Sequence, residues 1–189
     1  GHLFGRGHRH RGVSCGRANG WSGWGASTTC GGFQSLVALA PCTENDQLTT
    51  ITFDLQPFTV EARRPWFEAH HGHGRHRLLV ADEDGALQGY ASTSAFRAKA
   101  AYDTTAEVSV YCRAEAVGRG IGRALYEALF AAIAGEDLHR LTAGITMPNA
   151  ASVTLHEQFG FRLVGVFSEN GRKFGRYWDV AWYERRIGG

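Results

Sequence analysis

The chain has 189 residues, of which 43% are hydrophobic, and this is enough to form the core of one domain. Its net charge of +2 is too small to indicate a nucleic-acid-binding protein, and no apolar run is long enough for a membrane-spanning helix. The four cysteines are scattered without a C-x-x-C pair and the N-terminus lacks a signal-peptide pattern, so we expect neither a zinc knuckle nor a disulfide framework, but a protein of the reducing cytoplasm.

Residues 1–43 differ in composition from the rest of the chain. They contain no Asp or Glu, ten glycines fall within residues 1–32, and no hydrophobic period is evident. Such a segment buries too little apolar surface to offset its ordering entropy, so we expect one folded domain over residues 44–189. Three explanations of this composition are open: a flexible extension, residues foreign to the natural protein, or translation in a wrong reading frame. An arm for nucleic acid is disfavoured, because the segment has only four arginines.

The first predicted elements are a strand and a helix. Residues Thr49–Phe53 are β-branched and predict a strand, and Val60–His71 predicts a helix that bends or starts at Pro65. The histidines that follow, within residues 70–76, alternate with glycines and have no carboxylate or cysteine partner. This pattern favours a solvated loop over a metal site.

Three strands are predicted next. Leu78–Ala81 and Leu87–Ser92 flank the Asp84-Gly85 pair, which is a strong hairpin signal. Glu107–Cys112 then alternates apolar and polar residues, as a half-buried strand does. A meander of antiparallel strands is therefore expected before residue 113.

A helix is predicted directly after these strands. Its apolar residues recur every four positions, at Ile121, Leu125, Leu129 and Ile133. The helix is expected to end near Gly135. The junction Val117–Arg123 is rich in glycine and carries two arginines. The free amides and positive dipole end of the first helical turn favour an anion there, such as a pyrophosphate. At this point an ordinary strand-to-helix turn, with glycine for tight packing, remains the alternative.

The last predicted elements complete a sandwich. Leu141–Thr146 predicts a strand, and Ser152–Phe159 a short helix closed by Gly160. A final strand pair, Phe161–Phe167 and Phe174–Arg185, is expected to turn at Glu169-Asn170-Gly171. The order of elements indicates an α/β (α+β) sandwich with a mixed sheet.

Several motifs in this order resemble the GNAT family of acyl-CoA N-acyltransferases. The glycine junction reads Val117-Gly118-Arg119-Gly120-Ile121-Gly122, and Asn149-Ala150-Ala151-Ser152 opens a helix that ends in Gly160-Phe161. The segments AYDTTAEVSVY, LHEQFGFR and KFGRYWDV are similar to the branch that acetylates phosphinothricin and methionine sulfoximine. The resemblance covers about residues 48–187.

The resemblance implies a GNAT fold, in which a mixed, mostly antiparallel sheet is flanked by helices and two splayed strands hold acetyl-CoA. No metal is implied. The residues that it places at the cofactor are Val110, Tyr111, Cys112, Gly118, Arg119, Gly120, Ile121, Gly122, Arg123, Asn149 and Gln158.

It also implies catalytic and acceptor-binding residues. Glu107 corresponds to a general base and His156 to a second catalytic group. No tyrosine falls between residues 127 and 176, so the general acid stays unassigned. The acceptor is expected to contact Arg97, Lys99, Tyr102, Glu107 and Lys173, whereas Trp178 and Trp182 are expected to serve packing.

The implied activity is acetyl transfer from acetyl-CoA to the primary amine of a small amino-acid-like acceptor, in a homodimer. Acetylation of a protein N-terminus, a polyamine or an aminoglycoside is the alternative within enzymes. A silent CoA-binding module is the alternative outside them.

Overall fold

The fold is seen in a computed structural model of the chain, which describes residues 25–28, 50–56, 59–83 and 86–187. Ten elements follow one another in the order β1 Gly25–Thr28, α1 Val60–Glu68, β2 Leu78–Glu83, β3 Ala86–Ala95, β4 Thr105–Cys112, α2 Ile121–Ile133, β5 Arg140–Thr146, α3 Ala150–Gln158, β6 Arg162–Lys173 and β7 Arg176–Arg186. The strands form one seven-stranded sheet in the order β1-β2-β3-β4-β5-β7-β6. Among these residues no helix has the length and apolar character needed to cross a bilayer.

The two central strands part soon after they meet. All neighbouring strands are antiparallel except β4 and β5, which run parallel. Their pairing joins Thr105–Glu107 to Arg140–Thr142, and the two strands diverge beyond these residues. The prediction of a mixed, mostly antiparallel sheet with splayed strands is confirmed.

Helices cover both faces of the sheet. The predicted apolar stripe of α2 is confirmed, because Ile121, Leu125 and Leu129 are at most 3% exposed and pack on the face of β4 that carries Val108. The opposite face of β2 and β3 is covered by Trp66 and Phe67 of α1. Alternation along β4 therefore directs odd-numbered residues, such as Glu107, away from α2.

The predicted strand before α1 and the predicted end of α1 at His71 are both wrong. Residues 50–52 form bends and residue 53 has no regular structure, so no strand forms there; Thr49 lies outside the described residues. Their backbone instead accepts a hydrogen bond at the Thr52 carbonyl from the Lys173 ammonium, at 2.8 Å. Helix α1 starts at Val60 and ends at Glu68, so Pro65 lies inside it. The His70 ring nitrogen Nδ1 closes the end by donating to the Trp66 carbonyl, at 2.7 Å.

The predicted turn at residues 169–171 is also wrong. Strand β6 continues through these residues as a bulge, and the chain turns at Phe174 and Gly175, which both have positive φ (55° and 74°). The ring of Phe53 occupies the place that a Cβ at Gly171 would take. Glycine at this position therefore makes room for a packed ring and does not mark a turn.

Strand β1 was not predicted from the sequence. It pairs antiparallel with β2, with Gly25 opposite Asp82, and lies within the segment assigned to 1–43. Gly-Ala-Ser-Thr carries no hydrophobic alternation, so the sequence gives no strand signal there. The rest of residues 1–43 lies outside the described part of the chain, and the domain boundary stays a prediction.

A buried arginine fixes the loop between α1 and β2. The guanidinium of Arg77 donates to Glu136 Oε1 at 3.0 Å and to the carbonyls of Gly72, Gly74 and Ala132. Glu136 also accepts from the Gly74 amide, at 2.9 Å. The pair thus ties the histidine-containing loop to the end of α2.

Removing the charge of Glu136 is expected to destabilise this tie. Glu136→Gln should lower the free energy of unfolding by about 2 kcal/mol, because the Arg77 guanidinium would lose its counter-charge while 10% exposed. Urea denaturation measures the change. Asp137→Asn is the control: its carboxylate is 85% exposed and 3.9 Å from Arg75, so the loss should stay below about 0.5 kcal/mol. Equal losses of stability in both variants would show that the Arg77–Glu136 pair does not stabilise the fold.

Candidate active site

A cavity of about 660 Å³ fills the gap between β4 and β5. Its walls are Val108–Cys112 of β4 and Ala143–Thr146 of β5, and it extends to the first turns of α2 and α3. Every predicted cofactor-binding residue except Arg119 lines it: Val110, Tyr111, Cys112, Gly118, Gly120, Ile121, Gly122, Arg123, Asn149 and Gln158. One space therefore joins two strand edges to two helix N-termini.

The start of α2 presents backbone amides to this cavity. Gly118 and Gly120 have φ of 81° and 80°, a conformation that side chains disfavour. Gly120 is the N-cap and supplies no capping side chain, and the first backbone bond of the helix runs from the Ala124 amide to the Gly120 carbonyl. The amides of residues 121–123 thus have no acceptor within the helix. This end of the cavity suits a diphosphate.

The two arginines of the junction stand beside this end. Arg119 pairs with Glu83 at 3.1 Å, and Arg123 pairs with Glu127 at 2.9 Å. Both pairs are on the surface, where ion pairs contribute about 0–1 kcal/mol, so an arriving anion can displace the carboxylates at little cost.

Asn149 forms the N-cap of α3. Its Oδ1 accepts from the Ser152 amide at 3.1 Å, directly after the cis peptide bond between Met147 and Pro148. The Asn-x-x-Ser motif therefore shapes the helix start at the cavity wall.

His156 is buried between α2 and α3, with 3% exposure, and also reaches the cavity wall. Its Nδ1 lies 2.7 Å from the Ser152 carbonyl, which can only accept, so Nδ1 carries the proton. Its Nε2 consequently accepts from the Tyr126 hydroxyl, at 2.8 Å. Burial lowers the pKa of His156 and raises that of Tyr126 well above its usual value. The ring is therefore a neutral acceptor, and the tyrosine keeps its proton.

No sequence pattern indicated a role for Tyr126. Its position beside the apolar stripe of α2 resembles any buried helix residue, and only the tertiary structure brings its hydroxyl to His156.

Glu107 lies where the central strands part. It is opposite Ser94 on β3 and belongs to the last residue pair of β4 and β5, opposite Thr142. Burial raises the pKa of the Glu107 carboxyl, and the nearby Arg97 guanidinium partly opposes this rise. Glu107 does not line the cavity between the strands. A half-buried carboxylate with a raised pKa is a suitable proton acceptor.

The predicted acceptor-binding residues do not all lie together. Arg97 is close enough to Glu107 to affect its pKa and stacks on Phe96 at 4.3 Å. Tyr102 contacts the same Phe96 ring at 5.8 Å, and Lys99 is exposed just before it. Lys173, in contrast, is 3% exposed and is bound to the Thr52 carbonyl. The structure therefore places Arg97 near Glu107, Tyr102 on the Phe96 ring that Arg97 also contacts, and Lys173 in a loop contact.

The histidine loop shows no metal-binding arrangement. Within the described ranges no group of three His, Cys, Asp or Glu side chains is placed to hold a metal ion.

Comparisons with known proteins agree with this geometry. The family model described as an acetyltransferase (GNAT) domain matches residues 35–182. The chain is 58% identical over 141 residues to phosphinothricin N-acetyltransferase of Streptomyces coelicolor. The aligned region covers 74% of this chain and 82% of that protein. It is 35% identical over 139 residues to the L-methionine sulfoximine/L-methionine sulfone acetyltransferase of Pseudomonas paraeruginosa (74% and 81% covered).

A solved structure is similar throughout the fold. The phosphinothricin acetyltransferase of Sinorhizobium meliloti in complex with acetyl-CoA superposes with a TM-score of 0.79 and 30% identity, over 87% of this chain and 89% of that chain.

Proposed function

Because this chain belongs to the GNAT family of acetyltransferases, we propose that it transfers the acetyl group of acetyl-CoA to the primary amine of a small amino-acid-like acceptor. Acceptors of the phosphinothricin, methionine sulfoximine and methionine sulfone type are favoured by its relatives. The observation that carries the proposal is the gap between β4 and β5, which ends at free helix amides and has Glu107 at its origin.

The gap fits the shape and chemistry of acetyl-CoA. Beyond Glu107 the edge of β4 separates from β5, and there the backbone groups of Val110 and Cys112 would bind the amides of the pantetheine arm. The amides of residues 121–123, beside the glycine backbone at 118 and 120, would hold the diphosphate. Asn149 and Gln158 would line the other wall. When bound, acetyl-CoA supplies an activated acyl group as a thioester.

The amine has to lose a proton before it attacks. An α-amine with a pKa of about 8 is roughly one-tenth neutral at pH 7, which costs about 1.4 kcal/mol. We assign this proton to the Glu107 carboxylate, directly or through water, because its pKa is raised and it lies where the gap begins.

His156 is assigned a different part. Both ring nitrogens are engaged, by Ser152 and Tyr126, and the ring is neutral. This arrangement favours a neutral ring fixed at the cavity wall over removal of the amine proton. Arg97 is assigned to the carboxylate of the acceptor, since a guanidinium binds carboxylate with two donors.

The protein is proposed to form a homodimer through its β6 edge. This edge strand, the turn after it and the start of β7 expose large apolar side chains, each at least 49% accessible: Leu163, Val164, Val166, Phe167, Phe174 and Tyr177. A second copy of the same edge would cover a patch of this kind. We also place the protein in the cytoplasm, since its cysteine pattern suits a reducing compartment.

Val166→Asp is expected to convert this dimer into monomers at micromolar concentration, because it buries a charge in the shared apolar edge. Light scattering after gel filtration measures the mass. Ala131→Asp is the control, since Ala131 is exposed on α2, which packs on β2, β3 and β4, and the variant should leave the dimer intact. A monomeric parent protein would refute the interface.

The function is tested by CoA release over a panel of amines. Methionine sulfone, methionine sulfoximine, phosphinothricin and ordinary amino acids are compared with spermidine, an aminoglycoside and a peptide N-terminus. We expect the highest kcat/KM among the amino-acid analogues. A higher value for spermidine, the aminoglycoside or the peptide would reassign the acceptor, and no release with any amine would leave a silent CoA-binding domain.

A further inference from the structure

An aromatic wall lies on the same face of the sheet as Glu107. Trp182 of β7 is opposite Gly144 of β5, and its ring lies over that glycine, so that a Cβ at Gly144 would be 3.3 Å from indole Cη2. Phe96 meets the Trp182 ring edge to face at 6.1 Å. Phe96 in turn contacts Tyr102. These three rings therefore adjoin Arg97, which stacks on Phe96 and lowers the pKa of Glu107.

The indole nitrogen of Trp182 is buried without an acceptor among the residues that the structure describes. Buried indole N–H groups nearly always find a hydrogen-bond partner. Trp178 follows this rule, because its Nε1 donates to the Lys173 carbonyl at 3.0 Å. The Trp182 donor is thus suited to an acceptor that another molecule brings.

Sheet geometry sets the distance between this donor and the base. Glu107 is opposite Thr142, and Gly144, two residues further along β5, is opposite Trp182. Two strand spacings and two residue rises separate the backbones of Glu107 and Trp182 by about 12 Å. The ring reaches back over Gly144 and shortens this span. An amino acid whose amine is at Glu107 can therefore bring its side-chain tip to the indole.

The electrostatics near the indole favour a neutral oxygen over a full anion. Glu184, the charged residue two positions along β7 on this face, is paired with Arg140 at 2.7 Å and with Arg162. The donor itself is uncharged, and its neighbours are aromatic rings. A polarised oxo group on sulfur satisfies such a donor without requiring a counter-ion.

We propose that Trp182 determines acceptor specificity by donating its indole N–H to a side-chain oxo group of the acceptor, while Phe96 and Tyr102 pack against the adjoining methylene groups. This assignment rests on the proposed function, whose amino-acid acceptor it makes more specific. It gives Trp182 a contact with substrate in place of the packing role expected from sequence.

The test compares methionine sulfone with methionine, which has the same chain without the oxygens. Trp182→Phe keeps an aromatic ring and removes the donor. We expect kcat/KM for methionine sulfone to fall about tenfold and that for methionine to change less than about twofold. Trp178→Phe is the matched control, because its N–H already has a protein acceptor, and it should leave the ratio of the two values unchanged.

The outcomes separate this assignment from the proposed function. A parent protein that acetylates methionine sulfone, with a Trp182→Phe variant that loses both substrates equally or neither, would overturn the indole assignment alone. A parent protein that acetylates no amino acid would overturn both. If Trp182→Phe does not fold, benzothienylalanine at position 182, which replaces N–H by sulfur in a ring of the same shape, must give the same tenfold selective loss.

Discussion

Glu107→Gln is expected to lower kcat by about a hundredfold or more, while the Kd for acetyl-CoA changes less than about twofold. The amide cannot take the amine proton, yet it has the shape of the carboxyl group. Glu107 does not line the cavity that we assign to acetyl-CoA, so its loss should spare cofactor binding. Single-turnover kinetics and calorimetric titration measure the two quantities separately.

Glu115→Gln is the matched control for this variant. It removes a carboxylate from the exposed turn just after β4, and kcat should be unchanged. Turnover of Glu107→Gln near the parent value would remove Glu107 from the mechanism. A large rise in the Kd for acetyl-CoA would show that the residue supports the cofactor site instead.

The pH dependence of kcat/KM should also show the titration of Glu107. Burial raises the pKa of Glu107 above its usual value. As the pH falls, Glu107 is therefore protonated, and activity is lost, at a higher pH than expected for a free glutamate. Arg97 opposes this rise, and Arg97→Gln should therefore move the acidic limb of kcat/KM to still higher pH. A limb that stays in place, or moves to lower pH, would contradict the assignment of Glu107 as the titrating base.

Gly122→Val is expected to weaken acetyl-CoA binding by about a hundredfold, or about 2.7 kcal/mol. Gly122 lines the cavity in the first turn of α2. A Cβ there would lie 3.2 Å from Leu155 and 3.9 Å from Val110, so the branches of valine must extend into the space between α2 and β4. Titration with acetyl-CoA measures the loss.

Gly135→Val provides the comparison, since a Cβ at Gly135, beyond the other end of α2, meets no atom within 4 Å. Its Kd should match that of the parent. Thermal unfolding of both variants checks that the fold is kept. Unchanged affinity in a folded Gly122→Val variant would place acetyl-CoA elsewhere.

The sequence predicted the centre of this fold well, because its signals are local and strong. The four-residue recurrence in α2 and the alternation in β4 both reflect burial on one face, and the glycine junction between them has a backbone requirement that few residues meet. The residues at the cavity, in contrast, were implied by the resemblance to the GNAT family. Their roles remain proposals.

Contacts between segments distant in the sequence could not be predicted from local sequence patterns. The turn at Phe174-Gly175 was missed because Asn170-Gly171 carries the usual turn residues, and only the ring of Phe53 explains the glycine. The Tyr126–His156 bond joins residues 30 positions apart. The indole nitrogen of Trp182, which has no acceptor in the described part of the chain, likewise becomes visible only when β7 is placed beside β5.

The most direct measurement is the movement of backbone amide resonances in the ¹⁵N-labelled protein when CoA is added. We expect the amides of Gly118, Gly120 and Gly122 to shift, while Gly74 and Gly160, which do not line the cavity, stay in place. Saturating CoA that leaves the three junction glycines unmoved would contradict a diphosphate site at the start of α2, and with it the proposed acetyl transfer.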